Sequence, residues 1–185
     1  DHHRSQPIFE LDSLYYRNNP IFHDVLSGYS EHRLLMGMPI ESKLNGELKK
    51  AFPQIKQVSM TNGGCNWLHA VVQIKKKTDN DPKKIIKKTF ESHRSLKQVT
   101  IIDEDIDPSN AESIEYAIAT RFQADKDLFI IKNVRGSSLD PSSDQKKLKT
   151  AKMGIDATKS FSKRPEGFEL AKIPNINKLK LENYF

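Results

Sequence analysis

Residues 152–158 read Lys-Met-Gly-Ile-Asp-Ala-Thr and follow the polar segment 135–151, which has few apolar anchors. A segment of this length and composition is typical of a long loop, which would present Lys152 at its end. A lysine ammonium offers three donors and a full charge, so the pattern favours a phosphate as its ligand. The alternative is structural: a surface lysine before a tight turn at Gly154, with Asp156 capping the residues that follow.

This stretch resembles a signature near the C-terminus of UbiD-type decarboxylases, which use prenylated FMN: lysine, methionine, glycine, an aliphatic residue, aspartate, alanine and threonine. Four further blocks resemble that family, in the family's order: residues 19–23, 31–37, 63–76 and 116–131. The first two are similar to the entry of the family's C-terminal domain. The third is similar to a glycine-cysteine turn with its following strand, and the fourth to a helix and a strand. Together they indicate a UbiD-like C-terminal domain.

The resemblance implies where the chemistry of such an enzyme lies. The family's central domain holds prenylated FMN and a divalent metal, Mn²⁺ or Mg²⁺, and supplies the arginine and glutamates that transfer protons. This chain lacks those motifs, so we expect it to contain no catalytic residue and no metal ligand, and to be inactive alone. It is expected to contribute Lys152 to the flavin phosphate, and His32 and Met36 to the wall of the substrate pocket.

The resemblance also predicts the organisation of the chain. Residues 1–160 are expected to form the UbiD-like α/β domain, including the loop at 135–151, and residues 161–185 a tail that packs at a subunit interface of a homodimer or homohexamer. Because the chain begins with Asp1 rather than methionine, we expect it to be cut from a longer carboxy-lyase. The alternative is a free-standing assembly subunit that pairs with a separate flavin-binding protein. The acid that is decarboxylated stays open among prenylated hydroxybenzoates, cinnamic-type acids, polycyclic aromatic acids and anhydromevalonate phosphate.

Composition excludes several other classes of protein. The 185 residues are 36% hydrophobic and 29% charged, with a formal net charge of +6. The lysines occur in short clusters without interleaved aromatic residues, and two of these clusters lie on the solvent-facing side of one expected helix, so nucleic-acid binding is not predicted. No apolar run reaches the ~20 residues of a membrane span, and the expected compartment is the cytoplasm. One cysteine, Cys65, excludes an internal disulfide.

Apolar periodicity predicts an α/β fold, with helices packed on a mixed sheet. Strands are expected at 9–16, 54–60, 68–75, 99–102 and 128–134. Helices are expected from Pro39 to Phe52, from Asp81 to about Ser92, and from Asp107 through Phe122.

Two groups of residues suggest metal chemistry at first sight. The carboxylates of Asp103, Glu104, Asp105 and Asp107 follow a predicted strand, where ligands often bind. We interpret them structurally, with Asp107 as a helix cap. The six histidines lack the spacing of a zinc hydrolase, and Cys65 is interpreted as a small buried residue.

Overall fold

The computed structural model of the chain describes residues 5–169 and residue 182. Its elements follow in the order α1 Ser30–Ala51, β1 Ile55–Met60, β2 His69–Ile74, α2 Asp81–Ser92, β3 Gln98–Asp103, α3 Ala111–Arg121, β4 Leu128–Arg135, β5 Lys149–Ala157 and a 3-10 helix Pro165–Phe168. The strands form one sheet in the order β1-β2-β3-β5-β4. Strands β2, β3 and β5 are parallel, and the outer strands β1 and β4 are antiparallel to their neighbours. The predicted mixed α/β sheet is confirmed.

The two faces of the sheet carry separate apolar cores. Helices α1 and α2 cover one face, with a core that includes Leu44, Leu48, Val72, Ile85, Phe90 and Ile101. Helix α3 covers the other face, with a core that includes Val71, Ile102, Ile114, Ala117 and Ile155. Alternate residues of a strand point to opposite faces. In β5 the even-numbered residues therefore face α2, and the odd-numbered ones face α3.

The strongest sequence patterns are confirmed. Helix α2 spans the predicted residues, with Ile85, Ile86 and Phe90 buried and the lysines at 83–84 and 87–88 on its outer side or end. Strands β1 to β4 coincide with four predicted strands to within two residues. Strands β1 and β2 pair as the predicted antiparallel hairpin through the turn at 61–68.

The predicted strand at 9–16 is wrong. Residues 5–27 contain no helix or strand, and Ile8, Phe9, Leu11 and Leu14 are 71% exposed or more. An alternating pattern forms a strand only where another strand offers hydrogen-bond partners. Within the described residues, the five strands of the sheet pair with one another and not with this segment, so it has no strand partner and its apolar side chains stay exposed.

The predicted start of α1 is also wrong. The helix begins at Ser30, nine residues before Pro39, which lies inside it. A proline removes the bond to the carbonyl four residues earlier, here that of Leu35. Because Leu35 is 55% exposed, water can satisfy that carbonyl, and the helix continues to its predicted end near Phe52.

The largest correction concerns β5, which was expected to be loop and turn. The loop spans 136–148, because β5 begins at Lys149 and pairs with both β3 and β4. Gly154 is a strand residue, and a Cβ there would lie 2.4 Å from Ile86 Cγ2. The glycine thus allows α2 to approach the sheet. Lys152 is therefore not at the end of a loop, and Gly154 is not in a tight turn.

The start of helix α3 uses a different capping residue from the one predicted. Helix α3 begins at Ala111, and Asn110 caps it by accepting a hydrogen bond from the Ser113 N–H at 3.1 Å. Asp107 instead accepts from the Ser109 N–H in the preceding turn. Most of the expected tail, at 170–181 and 183–185, lies outside the described residues. No helix in the described ranges is long and apolar enough to cross a membrane.

Candidate functional site

The three parallel strands begin at one edge of the sheet, which we call the amino edge. His69, Gln98 and Met153 stand in register there. The turn at 61–68, the end of α2 and the loop 136–148 surround this edge. Lys152 comes directly before Met153, so the predicted phosphate ligand lies at the amino edge.

Lys152 is buried on the α2 face of β5, with 5% of its surface exposed. Its ammonium donates to the Arg94 carbonyl at 2.6 Å and lies 5.2 Å from the centroid of the Phe90 ring. Burial lowers the pKa of Lys152 to about 8, and the Arg94 guanidinium adds to that effect. An ammonium has three donors, so two remain for an incoming acceptor.

A cavity of about 360 Å³ opens beside this ammonium. Its polar lining is mainly cationic, with Lys87, Arg94 and Arg135 around Lys152 and one carboxylate, Glu91. Such a donor set fits an anion, and a phosphate in particular, because guanidinium and ammonium groups bind its oxygens directly. Arg94 and Arg135 were not predicted from the sequence, because neither residue belongs to a recognisable motif. Arg94 follows a helix, and Arg135 ends a strand.

Aromatic and polar contacts hold the middle of the amino edge. Trp67 packs edge-on against His93, with 4.8 Å between ring centroids, and its indole N–H donates to Ser137 Oγ at 3.1 Å. Burial, followed by the charges of Lys43 on α1 and Lys152 on β5, lowers the pKa of His93. His93 is therefore close enough to both α1 and β5 to feel the charges of their lysines. The hydrogen bond from Trp67 to Ser137 attaches the loop 136–148 to the same pair of aromatic rings.

His32 and Met36 lie one turn apart in the first half of α1, and both are half-buried. The Gly28 N–H donates to His32 Nδ1 at 3.1 Å, so a neutral His32 carries its proton on Nε2. Further along the helix, Glu41 accepts from the Met60 N–H at 2.7 Å. This bond fixes α1 against the end of β1, which is at the amino edge because β1 is antiparallel to β2.

The two groups of predicted site residues share one face and one edge. Met36 precedes Glu41 by five residues on α1. Because an α-helix rises about 1.5 Å per residue, Met36 lies about 7 Å beyond the end of β1. Met60 is in line with Gly154 across β2 and β3, and Lys152 lies about 7 Å beyond Gly154. Three strand spacings separate β1 from β5, about 14 Å. Met36 and Lys152 thus project to similar depths beyond the sheet.

The opposite edge of the sheet carries the acidic cluster. Asp103 and Asp105 both accept from the buried Arg121, at 2.7 and 3.0 Å, and the Lys159 ammonium donates to Asp105 at 2.7 Å. Burial would raise the pKa of Asp105, but the bonds from Arg121 and Lys159 lower it to about 2. Within the described residues no group of three or more potential metal ligands is present. The cluster connects α3 to β3 and to the segment after β5.

The fold is that of the C-terminal region of UbiD-class enzymes. The family model of the 3-octaprenyl-4-hydroxybenzoate carboxy-lyase C-terminal domain, UbiD_C, matches residues 33–157, and the chain belongs to this family.

Named relatives agree with this assignment. The chain is 51% identical over 172 residues to anhydromevalonate phosphate decarboxylase of Methanocaldococcus jannaschii, covering 93% of this chain and 41% of that protein. It is 44% identical over 173 residues to the protein of the same name from Methanosarcina mazei, covering 92% and 40%. The chain therefore spans about two fifths of the length of these relatives.

Solved structures have the same fold. The UbiD-class enzyme HmfF from Pelotomaculum thermopropionicum, in complex with FMN, matches with a TM-score of 0.82 and 38% identity over 90% of this chain and 37% of that one. An evolved dimeric form of HmfF with prFMN matches with a TM-score of 0.74 and 33% identity over 91% and 35%.

Proposed function

We propose that the chain is the C-terminal domain of a longer decarboxylase that uses prenylated FMN. The relatives are decarboxylases of more than twice this length, which supports the proposal. The unpacked segment 5–27 supports it as well, since Phe9, Tyr15 and Phe22 are each 88% exposed or more. Apolar surface of this extent marks a contact with another part of a protein, and we assign that contact to the rest of the same polypeptide.

The observation that carries the proposal is the common location of Lys152, His32 and Met36. Lys152 is more than 110 residues from His32 and Met36 in sequence, yet all three lie on the same face of the sheet, toward its amino edge. In our proposal Lys152 binds the flavin phosphate, with Arg94 and Arg135 beside it. Met36 and His32 line the pocket at the other end, near the ring system.

The part that this chain has in the reaction is positional. When bound, prenylated FMN supplies the covalent chemistry by which the carboxylate is lost. Lys152 holds the phosphate and excludes water from it, Met36 supplies an apolar wall, and His32 offers its Nε2–H to a polar group of the substrate. Proton transfer and binding of Mn²⁺ or Mg²⁺ are assigned to residues of the longer protein outside this chain.

We further propose that the substrate is a small unsaturated acid that carries a phosphate. Five relatives that are 41% to 51% identical are named anhydromevalonate phosphate decarboxylase. Gallate decarboxylase of Lactiplantibacillus plantarum, an enzyme named for an aromatic acid, is 28% identical. The gradient in identity favours the phosphorylated substrate class.

The domain division at residue 160 and the interface role of residues 161–185 remain proposals. The size of the native protein tests whether this chain is part of a longer polypeptide or a free-standing subunit. Immunoblotting of source cells with an antibody against this chain should give a band of more than twice 21.2 kDa. A band at 21.2 kDa would support the free-standing subunit instead.

The assignment of Lys152 is tested in the full-length enzyme. Lys152→Ala should purify with much less flavin than the wild type, measured from flavin absorbance per protein. Lys149→Ala is the matched control, because Lys149 is an exposed lysine on the same strand. Equal flavin content in Lys152→Ala and Lys149→Ala would refute the assignment.

A further inference from the structure

A second cavity lies at the amino edge, beside the first turn of α1. Its volume is about 410 Å³, and it is lined by Ser30, Glu31, Arg33, Leu34, Asn62 and Asn66. It adjoins a neighbouring cavity of about 320 Å³, which shares Leu34, Asn62 and Asn66 and extends to the start of α3. It lies on the α1 side of the edge, away from the cavity at Lys152.

Arg33 is the cation of this cavity. It is half-buried, and it takes part in none of the ion pairs formed within the described part of the chain. One turn later on the same side of α1, Gly37 meets the turn at 61–68, where a Cβ would lie 2.6 Å from Asn66 Cβ. This close approach sets Arg33 beside the asparagine side chains.

The two asparagines are arranged as donors. Asn66 is 6% exposed, and its amide N–H donates to Asn62 Oδ1 at 3.1 Å. Because that bond uses the oxygen of Asn62, the amide nitrogen of Asn62 is left to face the cavity with two donors. The backbone of Asn66 lies in the left-handed region, at φ 51°, a conformation that asparagine adopts more readily than most residues.

The lining therefore presents many donors and a single carboxylate, Glu31. Arg33 contributes a planar guanidinium, Asn62 an amide and Ser30 a hydroxyl. The first backbone N–H groups of α1 also face this end, and Tyr29 provides no side-chain cap for them. A ligand with several acceptor oxygens and negative charge matches such a lining.

We infer that this cavity binds the phosphate of the substrate, with Arg33 as its principal ligand. The inference rests on the proposed function, since it names the group by which a phosphorylated acid is recognised. The flavin phosphate at Lys152 and the substrate phosphate at Arg33 then occupy opposite ends of one edge. The reacting carboxylate lies between them, at the ring system near Met36. Arg33 is a binding residue for the end of the substrate that does not react.

The test uses the full-length enzyme with its cofactor, the phosphorylated acid and its dephosphorylated analogue. Arg33→Gln should lower kcat/KM for the phosphorylated acid about 10- to 100-fold, the usual effect of losing hydrogen bonds to a charged group. It should leave kcat/KM for the analogue and the flavin content unchanged. Arg33→Lys should recover part of the loss, and inorganic phosphate should inhibit the wild type competitively but Arg33→Gln only weakly.

Lys49→Gln is the control, because Lys49 is exposed in the last turn of the same helix. A wild-type enzyme that does not act on the phosphorylated acid overturns the proposed substrate class. An active wild type with an unchanged Arg33→Gln variant overturns the Arg33 assignment alone. A variant that loses flavin, or loses both substrates equally, also overturns it.

Discussion

Replacing Lys152 by methionine is expected to stabilise the folded domain while it removes the proposed phosphate ligand. The pKa of Lys152 falls from 10.5 to about 8 because its ammonium is buried. Each pH unit of such a difference corresponds to about 1.4 kcal/mol, so the buried charge costs at most about 3.5 kcal/mol. Methionine keeps the length and packs against Phe90, but the Arg94 carbonyl loses its donor, at a cost of about 1 kcal/mol. The net gain at pH 7 is about 1–2 kcal/mol.

The dependence on pH identifies the source of that gain. Between about pH 8 and pH 10.5 the unfolded chain binds more protons at Lys152 than the folded chain does, so the free energy of unfolding rises with pH. Below pH 8 both states are protonated and the full cost is present. Above pH 10.5 the cost is absent. The advantage of Lys152→Met should therefore shrink as the pH rises from 8 to 10.5.

The assay is urea unfolding of the wild type, Lys152→Met and Lys149→Met at pH 7, 8, 9 and 10. All other titrating groups are the same in the three proteins. The difference in free energy of unfolding between a variant and the wild type therefore reports the replaced lysine alone. Lys149→Met should follow the wild type at every pH, because Lys149 is exposed. A constant difference between wild type and Lys152→Met across this range would refute the reasoning, since the lysine would then carry no buried charge.

Two further substitutions test the environment of β5. Burial raises the pKa of Asp156 from 3.8 to about 6, so the folded state holds this proton more tightly and the free energy of unfolding falls from about pH 4 to pH 6. Asp156→Asn keeps the acceptor of the Thr158 N–H and should abolish that fall, measured as Tm at pH 5 and pH 7; an unchanged pH profile would contradict the assignment. Gly154→Ala should destabilise the domain by about 1–3 kcal/mol in urea unfolding, because its Cβ would overlap Ile86. In an Ile86→Ala background, Gly154→Ala should cost less than it does in the wild type, and purely additive effects of the two substitutions would contradict the overlap.

The elements that sequence reasoning predicted are those whose local pattern agrees with their tertiary environment. Helix α2 has a proline in its first turn and one apolar side that meets the sheet, so its bounds follow from residues 81–92 alone. Strand β3 is a short apolar run because it is buried on both faces. In such segments propensity, period and burial all indicate the same element.

The failures occur where the decisive partner is distant in sequence. Strand β5 begins with polar residues, and its position between β3 and β4 determines its conformation. Gly154 looks like a turn residue until Ile86 is placed above it. The candidate site shows the same limit. Lys152, His32 and Met36 came from resemblance, whereas Arg33 and Arg94 emerged only once α1 and α2 were placed at the amino edge.

The distribution of paired charge explains why this domain is expected to bind ligands at its amino edge. Open α/β sheets usually bind ligands at the carboxyl ends of their parallel strands. Here the buried cations at that end are engaged, since Arg121 pairs with Asp103 and Asp105 and Lys76 pairs with Asp79. Lys159 also pairs with Asp105. The other lysines that line the cavity at that end, Lys75 and Lys163, are exposed to water. At the amino edge, Lys152 and Arg33 enter no ion pair within the described residues. An incoming anion gains most where it need not displace a carboxylate, so the unpaired cations favour the amino edge over the usual one.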